Sequence, residues 1–156
     1  MKIYYLFYKI WLKEIFLKLY KNIKLILKKL IIIIVSFLII IPVSLLFEIK
    51  AFDYTIKNTK KVSNFFLKIF KKRFDLVNIF IISRKINRVL KINSCFKICI
   101  SQKIIFSFFG YDVKIICGVK SPKNKTLDGH AWLVYNQKPM LGSNENINQY
   151  IESFTV

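Results

Sequence analysis

The order of apolar and polar positions predicts an α+β fold, with helices first and a small antiparallel sheet last. Met1–Lys29 places lysines on one face at about 100° per residue, which predicts a basic amphipathic helix. Leu30–Phe47 is an apolar run without charge, at the lower length limit for a membrane span. Pro42 lies inside this run, where a proline kinks or ends a helix. The lysines of the basic face are Lys2, Lys9, Lys13, Lys24 and Lys28.

Three further helices are predicted before the sheet. The Lys-rich segment 53–73 contains one in VSNFFLKIFKKR, and DLVNIFIISRKINRVL has apolar residues three and four positions apart. The third begins at Cys95, where Asn93 or Ser94 can cap it, and ends at Gly110 in a left-handed conformation.

Short β-branched segments then predict the strands. DVKIICGV is a buried strand and HAWLVY is a second strand. We expect a hairpin turn at NQKP, a third strand from MLG and a fourth in QYIESFTV. The chain therefore divides into a helical, hydrophobic and basic region at 1–73 and a core at 74–156.

Charge adds a constraint on partners. The 27 Lys and Arg against 8 Asp and Glu give +19, which favours an anionic partner, although an AT-rich codon bias would also enrich lysine. Helix-turn-helix spacing, zinc-finger patterns and aromatic RNA-binding motifs are absent, so no specific nucleic-acid role is expected. Met1–Lys29 either lies on an anionic membrane surface or packs on its own domain with a solvated lysine face.

The cysteines indicate the compartment. Cys95, Cys99 and Cys117 are odd in number and irregularly spaced, and no cleavable signal peptide is visible near the start. This favours a reducing, cytoplasmic setting. If Leu30–Phe47 spanned a membrane, the lysines on either side would place the N-terminus in the cytoplasm and the C-terminal half outside. An exported C-terminal half fits poorly with three free thiols. We therefore favour a buried or membrane-embedded helix over a clean span at Leu30–Phe47.

Candidate chemistry lies at Cys95 and His130. A helix N-terminus favours a thiolate at Cys95, and His130 begins a strand that can pack beside that helix end. A Cys–His pair is the arrangement of papain-like and transglutaminase-like enzymes, in which the imidazole takes the thiol proton. A zinc site from the three cysteines and His130 matches no ligand spacing, and no Gly-rich nucleotide loop exists, so neither metal nor cofactor is expected.

The order of these features resembles the B2 proteins of lasso-peptide biosynthesis, leader peptidases with a transglutaminase-like core. The resemblance covers about residues 75–156 and rests on Cys95 opening a helix, Gly110 closing it, VKIICGVK, and GHAWLVYNQKPMLG. The apolar run before the cysteine also agrees. The resemblance implies a papain-like core with a catalytic helix on a small antiparallel sheet, Cys95 as nucleophile and His130 as base.

The third catalytic residue is left open. The family commonly places an Asp about a dozen residues after the His, but Gly142 stands there. Asn144 or Glu145 just beyond could orient the imidazole, and Asp128 shares a strand face with His130. A dyad without a third group is also possible.

The resemblance implies a cysteine peptidase that removes the leader from a lasso precursor peptide. The implied partners are the precursor, a separate leader-recognition protein and an ATP-using lasso cyclase, with the anionic inner membrane face as a further contact. The alternatives are a non-catalytic basic membrane-associated protein and a transglutaminase-like acyltransferase.

Overall fold

A computed structural model describes residues 2–49, 52–120, 128–140 and 147–156, with side chains described from residue 14 onward except residue 15. The predicted α+β class is confirmed. The described helices are α1 (Lys2–Ile49), α2 (Phe52–Ile69), α3 (Leu76–Val89) and α4 (Cys95–Phe108). The described strands are β1 (Lys114–Lys120), β2 (Asp128–Tyr135), β3 (Lys138–Met140) and β4 (Ile151–Thr155), in the antiparallel order β3-β2-β1-β4.

α1 is one continuous helix, and Pro42 does not end it. A proline removes one main-chain hydrogen bond from a helix. Here Ile40 and Val43 are buried on either side of that residue, so packing holds the helix together through the defect. The basic segment and the apolar run are therefore two parts of a single helix. The lysines Lys2, Lys9 and Lys13 of the predicted basic face lie outside the described side chains.

α2 starts earlier and ends earlier than its sequence pattern predicts, at Phe52 and Ile69. The chain leaves the helix because the backbone at Lys71 and Lys72 passes directly against Gly110. Phe70 follows this path and packs on Phe108, with 4.4 Å between ring centroids.

The hairpin between β2 and β3 is tighter than predicted. Its turn is the two residues Asn136 and Gln137, whose φ angles are +48° and +63°. Two consecutive left-handed residues form a turn whose twist matches that of the flanking strands. Lys138 and Pro139 therefore belong to β3, where Pro139 is tolerated because β3 is an edge strand. The predicted fourth strand is confirmed as β4.

α4 is the centre of the fold. All its side chains from Cys99 to Ser107 are buried, and it contacts α1, α2 and α3 as well as β1 and β2. The core thus contains a helix that is covered by helices on one side and by the sheet on the other.

Gly110 ends α4 as predicted. Its φ is +79°, its N–H donates to the Ser107 carbonyl at 3.0 Å, and the next N–H, of Tyr111, donates to the Phe106 carbonyl at 2.9 Å. A Cβ here would lie 2.7 Å from the backbone carbon of Lys71. Both the left-handed conformation and this close approach require glycine.

We predict that Gly110→Ala lowers the free energy of unfolding by at least about 2 kcal/mol, from left-handed strain and backbone overlap together. Chemical denaturation followed by circular dichroism measures the change. Gly129→Ala is the matched control, because the nearest atom to its added Cβ is 4.0 Å away. Equal unfolding midpoints for the two variants would contradict this account of the turn.

Candidate active site

Cys95 is the first residue of α4. Ser94 is the N-cap, and its Oγ accepts a hydrogen bond from the Lys97 N–H at 3.4 Å, so the cap is Ser94 rather than Asn93. The first N–H groups of a helix have no partner within the helix and carry a partial positive charge. The Cys95 side chain, which is partly exposed, therefore lies where a negative charge is stabilised.

His130 lies near the start of β2, directly opposite Gly118 of β1. Its ring packs against two aromatic rings. The Trp132 ring is 6.2 Å away at an interplanar angle of 22°, and the Tyr150 ring is 5.3 Å away at 32°. Trp132 is buried, and a Cβ on Gly118 would lie 2.9 Å from its ring. The bare glycine leaves the space in which the Trp132 ring sits beside the imidazole.

Cys95 and His130 line the same two cavities. One is a small pocket of about 60 Å³ that Arg84, Gln102 and Met140 also line. The other is about 210 Å³ and has an apolar wall of Phe52, Phe96, Val119 and Phe154. The fold thus brings the thiol at the tip of α4 and the only imidazole of the chain to a common space, as the sequence predicted.

The three candidates for a third catalytic residue have different outcomes. Asn144 and Glu145 lie outside the described residues. Asp128 is exposed and shares the face of β2 that carries His130, as predicted. Its Oδ2 accepts a hydrogen bond from the Tyr150 hydroxyl at 3.1 Å. The Asp128 carboxylate is therefore linked to the ring that lies against His130.

Tyr150 contacts both His130 and Asp128, and the sequence did not indicate it as a site residue. Burial, the hydrogen bond to Asp128 and the electrostatic interactions with Asp128 and Cys95 raise the pKa of Tyr150 above its usual value. The phenol thus remains protonated and keeps its role as donor. A tyrosine before a short terminal strand carries no sequence signal, because its neighbours His130 and Asp128 are about twenty residues away along the chain.

The other two cysteines differ from Cys95. Cys99 and Cys117 are both buried. Burial, with a smaller contribution from the charge of Cys95, raises the pKa of Cys117 to about 11. Cys117 therefore stays a neutral thiol at physiological pH.

Within the described ranges, no three His, Cys, Asp or Glu side chains are grouped so that they could hold a metal ion.

Comparison with known proteins agrees with this arrangement. Residues 71–155, more than half of the chain, match the family described as the transglutaminase-like superfamily. The chain belongs to the transglutaminase-like superfamily. No curated protein and no solved structure matches the chain. Members of this superfamily are typically cysteine-based enzymes, which indicates a cysteine peptidase or acyltransferase class of activity.

We predict that a small alkylating reagent at neutral pH labels Cys95 before Cys99 and Cys117. The raised pKa of Cys117 alone lowers its thiolate fraction about a hundredfold, because only the thiolate reacts. Time-resolved labelling with peptide mapping measures the three rates. In denaturant all three thiols should react at similar rates. Faster labelling of Cys99 or Cys117 in the folded protein would contradict the assignment of Cys95 as the accessible thiol.

Proposed function

We propose that this protein is a cysteine peptidase that removes the leader from a lasso precursor peptide, with Cys95 as nucleophile and His130 as base. The observation that supports it is that Cys95 and His130 line the same two cavities, with the thiol at a helix N-terminus. Superfamily membership supports the cysteine-based class, and the sequence resemblance supplies the precursor as substrate.

The chemistry uses two half-reactions. The His130 imidazole takes the Cys95 proton, and Sγ forms a bond to the scissile carbonyl carbon. The C–N bond then breaks, the leaving amine takes the proton from the imidazolium, and a thioester remains on Cys95. Water, deprotonated by His130, adds to the thioester carbon, the C–S bond breaks, and the leader leaves with a free carboxylate.

The surroundings of Cys95 support both steps. The backbone N–H of Cys95 is a candidate donor to the oxygen that becomes negative in the tetrahedral intermediate. The wall of Phe52, Phe96 and Phe154 beside the thiol fits an apolar side chain next to the scissile bond. An extended leader could add to an edge of the sheet, and both β3 and β4 are edge strands.

The partners follow from the same proposal. A separate recognition protein presents the leader, and an ATP-using cyclase closes the ring on the released core peptide. The site is proposed to work in the cytoplasm, where the three thiols stay reduced. No metal or cofactor takes part in this hydrolysis.

The direct test mixes the protein with a precursor peptide encoded by a neighbouring gene and the recognition protein beside it. We expect mass spectrometry to show a single cut that Cys95→Ala and His130→Ala reduce by at least about a thousandfold. Lys61→Ala is the control, because this exposed residue of α2 lines neither cavity and should leave cleavage unchanged.

Four outcomes separate this proposal from its alternatives. Equal cleavage by Cys95→Ala would defeat it. Reaction in heavy-oxygen water should place one heavy oxygen in the leader carboxylate. Transfer of the leader to an added amine, without that hydrolysis product, would instead identify an acyltransferase, and no reaction with any acyl donor would favour a non-catalytic protein.

We further propose that Asp128 and Tyr150 position the His130 ring. Tyr150→Phe and Asp128→Ala each break the hydrogen bond between them, and we expect each to lower kcat about ten- to a hundredfold with KM nearly unchanged. Since the two residues act as one unit, the double variant should lose no more than either single variant. If the kcat losses of the two single variants multiplied in the double variant, or if the variants changed only KM, this positioning role would be contradicted.

A further inference from the structure

Among the side chains of α1 that the structure describes, one apolar face is packed and the opposite apolar face is exposed. Ile32, Ser36, Ile40 and Val43 are buried against α3 and α4 at spacings of four, four and three residues. The opposite face is exposed, and its central residue Leu38 has 69% of its surface accessible. Four apolar residues at spacings of four, three and four form this outer face: Ile34, Leu38, Ile41 and Leu45.

From residue 15 to the apolar run, the same helix carries positive charge only. Residues 15–47 contain no Asp or Glu, and every described side chain from 16 to 27 is exposed. The occupant of the outer face must therefore be apolar and bordered by negative charge. A second copy of this chain is disfavoured, because two chains of +19 would bring their lysines together. The lysines of this part of α1 are Lys18, Lys21, Lys24, Lys28 and Lys29.

The length of α1 would allow it to cross a bilayer, since its segment Phe16–Ile49 is long and apolar enough. Its attachments to the core argue against a crossing. At one end Lys28 Nζ donates to the Arg73 carbonyl at 3.3 Å. At the other end Glu48 pairs with Lys97. These two anchor points are about 30 Å apart along the helix, which equals the thickness of the hydrocarbon layer.

A spanning α1 would consequently draw the elements packed on it into the hydrocarbon. α3 lies against α1 and carries exposed Lys85 and Arg88. Charged side chains cost several kcal/mol each at the centre of a bilayer. A helix lying in the interface avoids that cost, because its outer face enters the acyl chains while the packed face keeps its contacts with the domain.

We propose that α1 is an in-plane anchor on an anionic lipid bilayer, with Ile34, Leu38, Ile41 and Leu45 in the acyl-chain boundary and Lys18, Lys21, Lys24 and Lys29 at the headgroups. The transglutaminase-like domain stays on one side, in water. This anchor does not depend on the catalytic assignment of Cys95 and His130, so either can fail alone.

Flotation with vesicles tests the surface. We expect the protein to float with phosphatidylcholine vesicles that contain phosphatidylglycerol, and to float far less with phosphatidylcholine alone or in high salt. Leu38→Glu should weaken binding at least about tenfold, because it places a charge in the apolar face. Val89→Glu is the matched control, since Val89 is an equally exposed apolar residue, 73% accessible, on α3. Equal binding by both variants would overturn the proposal.

Depth measurement tests the orientation. Leu38→Cys in a Cys95→Ser background leaves one accessible thiol, because Cys99 and Cys117 are buried. A fluorophore on residue 38 should be quenched most by lipids that carry bromine near the headgroup. Strongest quenching by bromine at the chain ends would show a spanning helix and overturn the in-plane assignment. A dimer that forms without vesicles and that Leu38→Glu dissolves would also overturn it, in favour of a second copy.

Discussion

Burial of α4 on all sides is the constraint on which the rest of this structure depends. A helix covered by α1, α2 and α3 on one side and by β1 and β2 on the other has little freedom to rotate or slide. Its burial includes Lys103, whose Nζ donates to the Val113 carbonyl at 2.6 Å and whose pKa is lowered by desolvation. Fixing α4 against β2 also fixes the position of its first residue, Cys95, relative to His130.

The site also depends on a glycine of β1 that pairs with His130 of β2. Gly118 lies opposite His130, and its missing Cβ leaves room for Trp132. Trp132, His130 and Tyr150 then form a set of packed rings along one edge of the site, with centroids 5.3 to 6.5 Å apart. The Tyr150 hydroxyl donates a hydrogen bond to the Asp128 carboxylate, which fixes the Tyr150 ring. The imidazole is thus oriented by packing as well as by any polar partner.

The α+β class and the start and end of α4 could be predicted from the sequence, and Cys95 and His130 line common cavities, whereas their catalytic roles stay a prediction. These features depend on local signals: a serine cap, a left-handed glycine and short β-branched runs. The continuous α1 could not be predicted, because tertiary packing of Ile40 and Val43 overrides the breaking tendency of Pro42. Tyr150 was missed for a related reason, since its role comes from residues distant in the chain. The division of the chain at residues 73 and 74 stays a prediction.

The central claim is that His130 activates Cys95, and its most direct test needs no substrate. The alkylation rate of Cys95 at neutral pH is measured in the wild-type protein and in His130→Gln, with Cys99 and Cys117 retained because they are buried. The account predicts a rate at least about tenfold lower in the variant at an unchanged unfolding midpoint, since the thiol then lacks its proton acceptor. Equal rates in two folded proteins would contradict the pairing of Cys95 with His130.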